Sequence, residues 1–245
     1  MDKALPIMLR QLRLPAIAEH YESMEAEATE HAWGYSEFLA KLAEQEVAQR
    51  FQTRVKNWTR EAKLPEGKSF STLTINELPK AVQKQVINCR DNTQWALQAH
   101  NVLLIGPSGV GKSHIAAALS LHLIEQGIRV KWMSATALVQ HLQQAKQELD
   151  LMTAMTRLDK YRVMVIDDMG YVKKDDAETQ VLFEFIAHRY ESGSLIITSN
   201  QPFGQWDQIF PDALMTVAAI DRIIHHASII EIDAESYRRK NIKKQ

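Results

Sequence analysis

The sequence predicts an α/β fold: a five-stranded parallel sheet between helices, preceded by a small all-α domain. Three observations carry this. From about residue 69 onward, short β-rich runs alternate with helical stretches. Before that point the chain reads as helical and holds one glycine, Gly34, ahead of Pro65. Between the first β run and the first helix of the second region lies a G-x-x-x-x-G-K-S match, residues 106–113.

In the first region, residues 1–68, Leu5, Leu9, Leu12 and Ile17 fall near helical spacing, interrupted at Pro15. A longer helix is predicted over 36–63, with Ser36 as its N-cap and a stop at 64–67. Phe51, Val55, Trp58 and Ala62 share one face of it. Charge is divided: residues 1–49 carry four Lys/Arg and nine Asp/Glu, residues 50–68 six Lys/Arg and two Glu. The basic end is either a solvated face or a surface for DNA phosphates.

In the second region, 69–245, the predicted strands are NVLLI (101–105), RVKWM (129–133), RVMVID (162–167), SLIITSN (194–200) and SIIEI (228–232). Helices follow the first, second and third of these; Ser134 can cap the second and Gly127 can stop the first. Near-continuous apolar strands alternating with helices imply a parallel sheet covered on both faces.

Composition narrows the class. The net charge of −1 gives no global field toward nucleic acid or membrane, so any such affinity must be local. No apolar run is long enough to span a membrane. Cys89 is the sole cysteine, which excludes an internal disulfide, and no local signature makes it a nucleophile. A cytosolic protein is the expectation.

Four elements carry chemistry. Gly106, Pro107, Ser108, Gly109, Val110 and Gly111 form a loop whose N–H groups can converge on phosphate oxygens, beside a helix N-terminus that opens with Lys112, Ser113 and His114. Lys112 offers a point charge to the β/γ-phosphates, and Ser113 a hydroxyl ligand for Mg²⁺. VIDD ends a strand in two acids: Asp167 to hold Mg²⁺, Asp168 to orient or deprotonate a water. Asp at this second position, one methylene shorter than Glu, predicts slow turnover. At the end of LIITSN, Asn200 is the candidate γ-phosphate sensor and Thr198 the second choice. Arg222, before the last strand, can reach a neighbouring subunit's γ-phosphate. His225 and His226, adjacent on a helix and so about 100° apart, lack the spacing of a metal site.

These elements, in this order, resemble an AAA+ ATPase, and more narrowly the IstB/DnaC branch. LRLPAIAEHYE and EFLAKLAEQEVAQRFQTRV resemble the helical N-terminal region of IstB-type transposition helpers; VIDDMGY, SLIITSNQPFGQW, DRIIHHA and ESYR extend the likeness over nearly the whole chain. The resemblance implies an ATP- and Mg²⁺-dependent ATPase that forms a homo-oligomer on duplex DNA and stimulates the transposase of the same element. It also implies a core without a C-terminal lid, since few residues follow SIIEI, and Arg238 of ESYR as a second sensor. Lys146, Arg157, Lys173 and Lys174, in loops, are candidate backbone-phosphate contacts, and Phe70 a candidate adenine contact. A helicase loader acting on single-stranded DNA, and an adaptor that binds ATP without hydrolysis, stay open as alternatives.

Overall fold

The computed structural model describes residues 4–170, 176–208 and 213–234. By internal contacts the chain divides into two units, Met1–Asn57 and Trp58–Gln245. The division falls inside a helix, because that helix's last turn carries side chains committed to the second unit.

The first unit holds α1 (Leu5–Gln11), α2 (Pro15–Glu30) and most of α3 (Tyr35–Ala62). Pro15 starts a helix rather than merely breaking one, since at the first helical position its missing N–H costs nothing. Ser36 lies within α3, which begins one residue earlier than expected. The unit has a thin core: Ala16, Ala18, Met24 and Leu42 are its buried apolar residues. A polar clamp supplements it. α2 has no side-chain cap of its own. Instead Glu46 of α3, 4% exposed, accepts the N–H groups of Ala16 (2.9 Å) and Ile17 (3.3 Å) through Oε2. Its Oε1 accepts Nε of Arg50 at 2.7 Å. A carboxylate at a helix N-terminus satisfies orphan donors and complements the dipole. Burial alone would raise the Glu46 pKa, but Arg50 and the two backbone donors outweigh it and hold it below the usual value.

The second unit is built around strands β1 (Asn101–Ile105), β2 (Val130–Ser134), β3 (Val163–Met169), β4 (Ser194–Ser199) and β5 (Ala227–Glu231). All pairings are parallel, in the order β2-β3-β4-β1-β5. Every residue of β1 and β4 is buried, as two covered faces require. Helices α4 (Lys80–Asp91) and α5 (Lys112–Glu125) pack together on one face. Helices α6 (Ala135–Gln147), α7 (Leu151–Leu158), α8 (Asp176–Arg189) and α9 (Ala213–Ile224) line the other. The core on that second face includes Leu103, Leu138, Met155, Phe185, Ile197 and Trp206. Full burial of one such large side chain is worth about 1.5–3 kcal/mol. Ser134 caps α6 as expected, accepting the N–H of Ala137 at 3.2 Å. Cys89 is buried, and its thiol is pushed up to about 11 by desolvation, which leaves it inert.

The last turn of α3 is fixed by Glu61. Its carboxylate accepts Arg129 Nη2 (2.5 Å), Lys160 Nζ (2.9 Å) and Tyr161 Oη (2.8 Å), while its carbonyl accepts Lys131 Nζ (2.9 Å). Lys160 and Arg129 hold the Glu61 pKa at about 2. Of the predicted apolar face, Ala62 is fully buried, Val55 and Trp58 are half-buried, and Phe51 is exposed.

Both acids have lowered folded-state pKa values, so their contributions are complete above the ordinary 4.5 and are lost as pH falls below it, for Glu61 down to about 2. Glu46→Ala is expected to cost about 2–3 kcal/mol by stripping buried donors of a charged acceptor. Hydrogen exchange of the first-turn amides of α2 measures it; Glu61→Gln is expected to flatten the acid limb of the stability curve.

Candidate nucleotide-binding site

The site lies where β1, β3 and β4 end. After Ile105 the chain must turn sharply past β5 and leave room for a ligand. Gly106 (φ 153°) meets the first demand: a Cβ there would stand 2.3 Å from the carbonyl oxygen of Ile232. Gly111 (φ 99°) meets the second: a Cβ would project into open space at the N-terminus of α5. The N–H groups of Ser108, Gly109, Val110 and Gly111 have no acceptor among the described residues. Four such donors ahead of a 14-residue helix form an anion cradle. Lys112, 6% exposed, closes it, with Nζ donating to the carbonyls of Gly106 and Pro107, each at 2.8 Å.

Ser113 and Asp167 come from segments 54 residues apart and meet: Ser113 Oγ donates to Asp167 Oδ1 at 2.9 Å. A hydroxyl and a carboxylate are hard oxygen donors of the kind Mg²⁺ selects, so these residues fit the metal the sequence implies. Thr198 of β4 donates to the same oxygen at 2.6 Å and accepts the N–H of Asp168 at 2.9 Å. Its hydroxyl thereby links the two acids.

Asp168 sits on a β-bulge. The β3–β4 register shifts between Ile166 and Met169, and Asp168 takes φ 59°. The extra residue turns the Asp168 side chain outward while Ile166 and Met169 stay fully buried. Sequence gave no sign of this, since β3 reads as one apolar run ending at Asp167. Asn200 lies exposed just beyond β4.

The side chain of His114 is engaged elsewhere: Nε2 lies 3.1 Å from both Thr72 Oγ1 and the Ser69 carbonyl. It ties the 67–72 turn to α5. Phe70 packs edge-on against His122 at 6.1 Å, with the Arg90 guanidinium 5.7 Å from its ring.

Arg222 is on α9, across the sheet from α5. Nη1 donates to the Ala218 carbonyl (3.2 Å), and the guanidinium lies 5.2 Å from the Phe183 ring. The end of α9 is pinned to the start of β1: Asn101 donates to the carbonyls of Ile223 (Nδ2, 2.8 Å) and His226 (N, 2.7 Å). The phosphate loop leaves the other end of that strand, about 13 Å away at 3.3 Å per residue. Arg238, Lys173 and Lys174 lie outside the described residues.

Two expectations are corrected. Lys146 and Arg157 are on helices, not loops, and are paired with Glu184 (3.0 Å) and Asp150 (3.3 Å). His225 and His226 follow the end of α9, with ring centroids 4.2 Å apart rather than diverging on a helix. Glu191 joins them, bringing ligand atoms of all three within 4.8 Å, although all three are exposed and His225 Nδ1 shares a hydrogen bond with Tyr190. None of the described helices is long and apolar enough to cross a membrane.

The fold is that of AAA+ ATPases. DnaA from Aquifex aeolicus bound to AMPPCP superposes with a TM-score of 0.58 at 18% identity over 74% of this chain, which spans only 55% of that one. DnaI gives 0.57 at 19% identity over 68% of this chain and 92% of its own, and the DnaC helicase loader 0.52 at 18% over 73% and 99%. Sequence likeness is closer to relatives named as insertion-sequence ATP-binding proteins. One from Sinorhizobium fredii is 46% identical over 98% of this chain and 81% of its own length. One named for IS5376 of Geobacillus stearothermophilus is 33% identical over 96% and 93%. With residues 7–245 matching the family described as IstB-like ATP binding protein, the chain belongs to that family.

Proposed function

We propose that this chain is an ATPase of an insertion sequence, which assembles head to tail on duplex DNA in the bacterial cytoplasm. ATP at the subunit interface holds the assembly, hydrolysis releases it, and the assembled form selects or remodels target DNA and stimulates the element's transposase. The observation that carries this reading is the split between two half-sites. The phosphate loop, Ser113, Asp167, Asp168 and Asn200 gather at the ends of β1, β3 and β4, while Arg222 is fixed on the opposite face. Such a centre is completed by a neighbour's Arg222, so nucleotide state and assembly are coupled.

In this reading Lys112 and the loop N–H groups hold the β- and γ-phosphates. Ser113 and Asp167 hold Mg²⁺, which when bound neutralises charge on the phosphate oxygens. Asp168 accepts a proton from the attacking water. Asn200 contacts the γ-phosphate, and Arg222 in trans stabilises charge developing in the transition state. Thr198 positions rather than reacts: it keeps Asp167 next to Ser113 and fixes the bulge that aims Asp168. Basic residues of the first unit contact DNA phosphates, which predicts weak sequence preference and steep salt dependence.

Steady-state ATP hydrolysis tests this. Duplex DNA of any sequence is expected to stimulate turnover more than single-stranded DNA does, with stimulation lost at high salt; Lys112→Ala serves as the blank. Preference for single strands would favour a helicase loader. Binding of ATP with no turnover above the blank would favour a non-hydrolysing adaptor.

A second expectation separates the roles of Asp168 and Thr198. Asp168→Asn is expected to lower kcat by about 10²–10⁴-fold with little change in ATP affinity, the range for loss of a general base. Thr198→Val leaves the acids in place but unoriented, so a smaller kcat loss is expected together with a raised Mg²⁺ requirement. Magnesium titrations of both variants read the difference.

A further inference from the structure

The parallel sheet has two ends. The nucleotide-site residues gather where β1, β3 and β4 finish. At the other end, where β1, β4 and β5 begin, a second group of side chains meets, and the nucleotide site uses none of them. Glu191 lies in the turn between α8 and β4, and His225 and His226 in the turn between α9 and β5. Ligand atoms of the three lie within 4.8 Å of one another. Among the described residues no other three His, Cys, Asp or Glu side chains converge in this way.

The backbone beneath them is fixed. Asn101, 6% exposed, accepts the N–H of Leu195 through Oδ1 at 2.8 Å and donates from Nδ2 to the Ile223 carbonyl at 2.8 Å. Its own N–H donates to the His226 carbonyl at 2.7 Å. One buried residue thus holds the start of β4 against the end of α9. Arg162 adds a tie, donating from Nη1 to the Ser192 carbonyl at 2.7 Å. Tyr190 Oη lies 2.9 Å from Nδ1 of His225, which fixes that ring and leaves Nε2 for an ion. Ligating histidines ordinarily have such a partner on the other nitrogen. The turns are therefore ordered before any ion arrives, and the ordering cost of binding falls on three side chains.

The geometry needs only a small closure. A tetrahedral Zn²⁺ with bonds of about 2.0–2.2 Å spaces its ligands about 3.4 Å apart, so each donor must move by about 1 Å or less. All three side chains are exposed, which leaves them room to rotate and gives an ion access. His100, nearby, has Nε2 3.1 Å from Ser228 Oγ, so the fourth position falls to water. Two imidazoles and a carboxylate suit a borderline ion, whereas Ser113 and Asp167 offer only the oxygen that Mg²⁺ prefers.

We propose that Glu191, His225 and His226 form a site for a Zn²⁺-class ion, which joins the α8–β4 turn to the α9–β5 turn. The site needs neither nucleotide nor DNA, and it stands whether or not the chain hydrolyses ATP.

Calorimetric titration of the full chain with zinc chloride, without nucleotide and in a buffer that does not bind zinc, tests this. One ion per chain is expected, with affinity unchanged by millimolar Mg²⁺. Glu191→Gly and His226→Ala are each expected to weaken binding at least about tenfold, since losing a ligand costs no less than losing a ligand's partner. Glu191→Gly separates binding from folding. Glu191 has φ 57°, which glycine adopts readily, so the metal-free variant is expected to melt close to the wild type. His188→Ala removes a histidine that pairs with Asp159 instead, and is expected to bind zinc as the wild type does. Zinc is also expected to raise the wild-type Tm and to slow hydrogen exchange at residues 190–193 and 225–227. Absence of saturable zinc binding would overturn the proposal. So would undiminished binding in Glu191→Gly or His226→Ala, which would place the ion on other histidines or on Cys89. Hydrogen exchange in the two turns that saturating zinc leaves unchanged would also overturn it.

Discussion

One carboxylate oxygen organises the candidate site. Asp167 Oδ1 accepts two hydroxyl hydrogen bonds, from Ser113 at the start of α5 and from Thr198 on β4. Those residues come from three chain segments, and the parallel sheet is what brings them together. β3 and β4 are neighbours, β4 and β1 are neighbours, and β1 delivers the loop that leads into α5. Without Asp167 the buried Thr198 hydroxyl would lose its acceptor, and the bulge carrying Asp168 would lose the group that fixes Thr198. Loss of a charged acceptor from such a network costs more than a neutral hydrogen bond, of the order of 1.5–3 kcal/mol.

Other contacts position the elements on either side of this convergence. Gly106 lets the chain cross the Ile232 carbonyl and enter the loop. Asn101, at the other end of the same strand, holds the last turn of α9 and hence the position of Arg222. A single five-residue strand therefore has the phosphate cradle at one end and the candidate trans-acting arginine at the other. Glu61 plays the corresponding part for α3, whose final turn it ties to residues that flank β2 and β3.

Much of the second unit was legible in the sequence, because buried parallel strands leave continuous apolar runs. All five strands were placed within one or two residues. The phosphate loop was legible for a different reason: its glycines answer backbone demands that few other residues can meet. What sequence did not disclose depends on distant partners. α4 and α7 carry no start or stop signal strong enough to announce them. The Glu46 clamp joins residues about 30 apart, and the Glu61 hub residues about 100 apart. Thr198 read only as the second choice of sensor after Asn200; its partners reveal that it donates to Asp167 and accepts from the Asp168 N–H. The bulge at Asp168 is likewise invisible in a run of strand-forming residues.

The proposed ATPase site is shared between two chains. The most direct test of that sharing is ATP hydrolysis by a mixture of Lys112→Ala and Arg222→Ala proteins on duplex DNA. Each alone should be inactive, one lacking a working loop and the other a working arginine. In random head-to-tail assembly, about one interface in four pairs an intact loop with an intact arginine, so the mixture should recover about a quarter of wild-type activity. A mixture no more active than its two components would contradict the shared site.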